Sequence, residues 1–260
     1  MSVPLNERLY RTEAVVLSRM DYGEAARILT VYTPHRGKLR VIAKGVRRPN
    51  SRLGPHLEYF TRCQLMLARG RELDTVTGAE TLDHHRRLRT DLDAYGHASH
   101  MVELLLRLTE DREENEAAYS LLTASLRLLD DGVDAFAVTR HFELALLGLL
   151  GYKPELYCCV ACAVDLTAVP NALSNRQGGL LCPLCRGTDG SSFPLSVNAQ
   201  KYLRTLDRHG LGAAAKLRLD ADLRNELEGA VGGYLRHLAE RDLVSLKVWH
   251  SLAQGGQPQA

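Results

Sequence analysis

Apolar and polar positions alternate through the first eighty residues of this 260-residue chain. The run Lys38-Leu39-Arg40-Val41-Ile42-Ala43-Lys44 puts Leu39, Val41 and Ala43 on one face and Lys38, Arg40 and Lys44 on the other. That is the pattern of a strand with one face in a core and one in water. Thr61 to Ala68 repeats it, with Thr61, Cys63, Leu65 and Leu67 facing inward and Cys63 read as core. Ala14-Val15-Val16-Leu17, Ile28-Leu29-Thr30-Val31-Tyr32 and Asp74-Thr75-Val76-Thr77 supply three more strands. Tyr22-Gly23 is the hairpin turn between the first two.

From Asp83 the period lengthens to that of a helix. Leu88, Leu92, Tyr95, Val102 and Leu106 form one apolar stripe. Ala118, Leu121, Leu122, Leu128 and Leu129 form a second, which Gly132 ends in the left-handed conformation. Asp134 caps a third helix with an apolar face of Phe136, Phe142, Ala145, Leu146 and Leu149, stopped by Gly151. Beyond a non-helical stretch from Tyr157 to Phe193, Ser196 caps a helix carrying Ala199, Tyr202, Leu203 and Leu206. A longer one carries Leu223, Leu227, Val231, Tyr234, Leu235 and Leu238. There is no internal repeat. The expected architecture is α+β and multidomain. A five-stranded β-barrel spans 1–82, and the OB-fold is the common fold of that kind. An α-helical bundle domain comes in two parts, 83–155 and 195–252. A cysteine module is inserted at 156–194, and 253–260 is a flexible tail.

The insert carries the most specific chemistry in the chain. Cys159-x-x-Cys162 and Cys182-x-x-Cys185 stand nineteen residues apart. Each turn brings two sulfurs toward one ion, and two turns complete a tetrahedral shell, so the pattern points to one structural zinc per chain. Four thiolates leave no open position for water, which argues against catalysis. Cys158-x3-Cys162 is also geometrically possible, but Cys159 gives two matched turns. Iron in a rubredoxin-like site is the other metal that four thiolates accept.

Composition adds little until it is resolved along the chain. Apolar residues make up 45% and charged residues 25%, with a formal net charge of +2. Residues 1–90, however, hold 17 Lys and Arg against 9 Asp and Glu, and the remainder holds 16 against 22. One end is therefore suited to a polyanion. Arg36, Lys38, Arg40, Lys44, Arg47, Arg48 and Arg52 fall within seventeen residues that contain no acid. Gly45, Pro49, Asn50 and Ser51 make the second half of this run a loop, able to follow a phosphate backbone. Tyr32, Tyr59 and Phe60 are candidate stacking partners for bases, and each suits a core equally well.

Other patterns carry no function. Gly210-Leu-Gly212-Ala-Ala-Ala215 follows a helical segment, not the strand that a dinucleotide site needs, and reads as a helix end and a loop. There is no Walker A sequence and no arrangement of nucleophile and base, so the chain is not read as an enzyme. His97 and His100 are placed on the surface. No signal peptide is visible, and the longest apolar run, Leu144 to Gly151, is too short for a bilayer. Paired cysteines of this kind belong in a reducing compartment, so a cytoplasmic location is expected.

The order of features resembles the RecO family of bacterial recombination mediators. The resemblance runs from about Ala14 to Leu252. It rests on Tyr22-Gly23-Glu24, Thr33-Pro34-His35-Arg36-Gly37-Lys38, the stretch Ala43 to Gly54, Gly151-Tyr152-Lys153-Pro154-Glu155-Leu156, and Gly178-Gly179 before the second cysteine pair. It implies an OB-fold, a helical domain and a zinc module. It also implies binding of single- and double-stranded DNA, strand annealing without ATP, and help in loading RecA. RecR and the single-strand DNA-binding protein are the implied partners, on the nucleoid and not at a membrane. A zinc-ribbon regulatory protein that binds DNA is the alternative reading.

Overall fold

The computed structural model describes residues 8–239. The tail expected at 253–260 and the end of the helical region, 240–252, lie outside them. The chain divides into two compact units, 1–131 and 132–260.

The first unit is built on a closed barrel of five strands: β1 (Leu9–Tyr22), β2 (Ala26–Thr33), β3 (Gly37–Ala43), β4 (Arg62–Ala68) and β5 (Asp74–Asp83). Its order around the barrel is β1-β2-β3-β5-β4, the closed five-stranded architecture of an OB-fold. All neighbours are antiparallel except β3 and β5, which pair in parallel at Val41–Asp74 and Ile42–Thr75. β1 serves two partners. Leu9 to Val15 pair with β4, Val15 to Tyr22 pair with β2, and a register shift between Val16 and Ser18 marks the bend. The alternation read from the sequence holds: Leu39, Val41, Ala43, Cys63, Leu65 and Leu67 are all buried in the barrel core. β1 and β5 run well beyond the segments expected.

α1 (Leu92–Leu108) and α2 (Glu116–Asp130) complete this unit. Asp91 caps α1 by accepting from the backbone N–H groups of Asp93 and Ala94, and Asn115 caps α2 through Ala118. Two expectations for α1 are corrected. Its buried face is Ala94, His97, Ala98, His100, Met101, Val102, Leu104 and Leu105, while Leu92 and Tyr95 are exposed. Leu88, the first member of the expected stripe, belongs to a separate short 3-10 turn, so counting from it rotates the face. His97 and His100, expected at the surface, therefore sit within the buried face, 3% and 4% exposed.

The second unit contains α3 (Ala135–Leu149), a cysteine module with a small antiparallel sheet, α4 (Val197–Ala214) and α5 (Ala221–Ala239). The sheet has the order β7-β6-β8, from β6 (Asn171–Ser174), β7 (Gly179–Leu181) and β8 (Phe193–Leu195). Asp134 caps α3 through Ala137, and Ser196 caps α4 through Ala199, as the sequence predicts. Gly132 and Gly151, just past the ends of α2 and α3, take φ of +82° and +79°, a conformation that costs glycine no Cβ clash. α4 is kinked at Gly210. No described helix is long and apolar enough to cross a membrane.

Candidate nucleic-acid interface and metal centre

The seven cations of the basic run do not form one cluster. β3 is seven residues long, a span of about 20 Å. Arg36 and Lys38 stand at its start, and Lys44, Arg47, Arg48 and Arg52 follow its end. Lys38 points outward but is only 12% exposed. Its Nζ donates to the Leu106 and Thr109 carbonyls at 2.9 and 2.7 Å and lies 3.2 Å from the Asp111 carboxylate. It thus neutralises the C-terminal end of α1. Arg36 lies over the ring of Tyr10, 4.5 Å from its centroid. The Tyr10 hydroxyl in turn donates to Asp74.

At the other end, Arg47 is also committed. Its backbone N–H donates to the Ala25 carbonyl, its Nη1 donates to the Gly23 carbonyl at 3.2 Å, and its Nε lies 3.3 Å from Asp21. These contacts tie the basic loop to the turn between β1 and β2. A hydrogen bond from Arg27 and the charge of Arg47 outweigh partial desolvation and hold the Asp21 carboxyl below its usual range. The side chains of Arg40, Lys44, Arg48 and Arg52 have no carboxylate partner among the described residues, and Arg40 and Lys44 are exposed.

Those two cations border a groove on the outer face of the barrel. It has a cavity volume of about 490 Å³ and is lined by Tyr22, Ile28, Arg40, Ile42, Lys44, Glu72, Leu73 and Thr75. Register explains the lining. Met20 stands opposite Ile28, and Ile28 opposite Ile42, so an apolar row crosses three strands. Thr30 and Arg40 form the next row. Met20 and Tyr22 are 54% and 55% exposed. An aromatic ring and an apolar floor edged with cations suit a nucleic-acid strand, whose bases stack while its phosphates are neutralised. In five-stranded barrels of this kind, the face of strands 2 and 3, with the β1–β2 and β4–β5 loops, is the one that binds oligonucleotides. The stacking candidates Tyr32 and Phe60 are core, 0% and 2% exposed, and Tyr59 packs under Arg19. Tyr22, Ile28 and Ile42 were missed as groove residues, and Met20 as an exposed member of the same face. The alternation Ser18, Met20, Tyr22 would have revealed two of them had β1 been extended past Leu17.

The sulfurs of Cys159, Cys162, Cys182 and Cys185 all lie within 4.8 Å of one another. Cys162 and Cys182 are 3.9 Å apart, close to the separation of about 3.8 Å between thiolates bound tetrahedrally at a Zn–S distance of about 2.3 Å. Each pair is folded as a turn: the Ala163 N–H donates to the Cys159 carbonyl, and the Cys185 and Arg186 N–H groups donate to Cys182. Cys158 is outside the set, its thiol 3.3 Å from Asp165. Burial raises the Cys159 thiol, but N–H groups of Cys182, Cys162 and Ala161 outweigh this and bring it down to about 6. N–H groups aimed at this sulfur favour its thiolate, the form that binds a metal. The donor set therefore fits a structural zinc site.

The family model "Recombination protein O N terminal" matches residues 7–85, and "Recombination protein O C terminal" matches 89–247. The chain belongs to the RecO family. It is 45% identical to the DNA repair protein RecO of Roseiflexus sp. (strain RS-1) over 242 residues, covering 93% of this chain and 85% of that one. The RecO of Pelotomaculum thermopropionicum is 37% identical over 238 residues, 92% of each chain. That of Dehalococcoides mccartyi (strain ATCC BAA-2266) is 35% identical over 245 residues, 94% and 96%. The two RecO family models meet between residues 85 and 89, where the barrel passes into the first helices.

Proposed function

We propose that this chain is a DNA-binding mediator of recombinational repair, acting by binding and not by bond cleavage. Family membership supports the repair role, since its relatives are DNA repair proteins by name. One observation carries the binding role: an exposed Tyr22 and Met20 on a barrel face edged by Arg40 and Lys44, cations without a carboxylate partner.

A single strand lies along β3 with its phosphates on Arg40, Lys44, Arg48 and Arg52 and a base on Tyr22. Arg47 positions the loop, and Lys38 holds α1; neither is needed as a phosphate contact. Neutralising one strand lowers its repulsion from a complementary one, and base pairing drives annealing without ATP. The same surface meets duplex DNA through its phosphates alone. RecR and the single-strand DNA-binding protein are the partners with which such a mediator assists RecA loading, in the cytoplasm on the nucleoid. Cys159, Cys162, Cys182 and Cys185 would hold one zinc, which when bound supplies structural closure of the module.

The test is fluorescence-monitored annealing of complementary oligonucleotides without nucleotide. The double variant Arg40→Glu/Lys44→Glu is expected to lose annealing while keeping its far-UV spectrum and melting profile. With four phosphate contacts, single-strand affinity falls with salt at a log–log slope of about −3. Undiminished annealing by the double variant, or a slope near zero, removes this reading.

A further inference from the structure

The barrel groove holds one charge of the wrong sign for a phosphate backbone. Glu72 lines it together with Arg40 and Lys44, and its side chain is exposed. Among the described residues it makes no hydrogen bond or ion pair, with these cations or with any other group. Neutralising them is therefore not its role. The turn between β4 and β5 fixes its place. The Asp74 carboxylate accepts from the Gly70 N–H at 3.0 Å and from the Tyr10 hydroxyl, and a Cβ at Gly70 would collide with the Leu73 carbonyl. β5 starts beside Val41, and the parallel pairing carries the residues before it back along β3 toward Arg40. Glu72 thus flanks β3 on the β5 side, while Tyr22, two strands away at the end of β1, stands on the other. A carboxylate so placed repels any backbone that approaches it. Only a ligand that brings a hydrogen-bond donor along with its phosphates offsets that repulsion.

We infer that Glu72 is a specificity-determining residue of this groove, selecting unpaired bases that carry an exocyclic amino group; the inference rests on the reading that the chain binds DNA there. The amino groups of cytosine, adenine and guanine each donate to a carboxylate. Thymine offers one donor, N3–H, set between two carbonyls that oppose the charge. With phosphates on Arg40 and Lys44, a single strand turns one base edge to Glu72, and the two signs of the groove are matched by one ligand. A duplex does not match them. Its pairing edges are taken up by the partner strand, and it brings a second row of phosphates. Pairing therefore withdraws the base from Glu72 and leaves the carboxylate unopposed. The same residue that favours loading of a single strand then favours release of the annealed product.

Full-length protein and its Glu72→Ala and Glu72→Gln variants are titrated with fluorescent oligo(dC), oligo(dT) and a hairpin duplex at one salt concentration. The readout is the ratio of dC to dT affinity, which is insensitive to the folded fraction of a variant. Glu72→Ala is expected to lower this ratio about fivefold, the loss of one hydrogen bond to a base, and to raise duplex affinity about twofold by removing an exposed like charge. Glu72→Gln, which keeps an acceptor without the charge, should retain part of the ratio and show the same gain on duplex. Oligo(dC) with dimethylated N4 amino groups should bind wild type more weakly than oligo(dC), and Glu72→Ala should not tell the two apart. An unchanged ratio in Glu72→Ala, with all three DNAs bound more tightly by one common factor, makes Glu72 a plain repulsive charge. That result overturns the inference and leaves DNA binding by the groove standing. Wild-type protein that binds none of the three overturns the functional reading first, and this inference with it.

Discussion

The barrel and the cysteine module close in opposite ways. The barrel core holds thirteen buried residues contributed by all five strands and the loop after β3, nearly all aliphatic. Burial on that scale holds a small domain together without help. The module's cluster has three buried members, Cys159, Leu181 and Cys182, with Val160, Leu166 and Cys185 packed against it. Half of those six side chains belong to the four-cysteine set that could hold a metal. A short segment with so few apolar contacts needs another source of cohesion. The proposed roles follow the same division. A barrel that closes on its own interior leaves its outer face free for a ligand, whereas the module's chemistry is spent inward.

The sharpest way to break this comparison is to remove the metal. Zinc–cysteine sites contribute on the order of 10 kcal/mol to the folding of small modules. Chelation, or Cys182→Ser, is expected to abolish amide-exchange protection in β6 to β8 while strands β1 to β5 keep theirs; loss of both together would show that the barrel also depends on the ion.

A smaller effect sharpens the barrel's side. Lys38→Met leaves the last carbonyls of α1 without their cation and is expected to destabilise the first unit by about 2 kcal/mol. Denaturant melts read this directly, and the salt slope of DNA binding should not move. A flatter slope would return Lys38 to the DNA surface. Tyr22→Ala should do the reverse, weakening single-strand binding by about 1 kcal/mol at unchanged stability. Fluorescence anisotropy in parallel with a thermal melt separates the two.

The smallest effect lies in the module. Hydrogen bonds from the Ser174 and Ser191 hydroxyls and the Ser191 N–H hold the Asp189 carboxyl down at about 2. Because the folded value is depressed, this contribution is complete above the unfolded value near 3.8 and is lost as pH falls from there toward 2. Acid titration of the module should show that loss, and Asp189→Asn should flatten it.

Much of this was legible in the chain, because it is local. Strand alternation, the caps at Asp134 and Ser196, the glycine stops and the matched cysteine turns each depend on a few neighbouring residues. What the sequence hid depends on distance. Seven adjacent cations look like one patch until β3 separates them by its own length. Lys38 is drawn away by carbonyls about seventy positions later, and Arg47 by a turn more than twenty positions earlier. Tyr22 reads only as a turn residue because the stretch of β1 beyond Leu17 carries polar residues on both faces, and partner strands alone determine which of them meets a ligand.

The parallel contact between β3 and β5 has one more consequence. It is the barrel's thinnest joint, two residue pairs long, and Ile42 and Thr75, one of those pairs, form part of the floor of the groove. A strand lying there spans the joint like a clasp. Whatever fills the groove therefore favours the closed barrel, and whatever opens the joint lowers apparent affinity by the fraction of molecules in which it is open. The ligand and the last stave of the barrel are in this sense thermodynamic partners, and a destabilising change at the joint should register in DNA binding without touching a single cation.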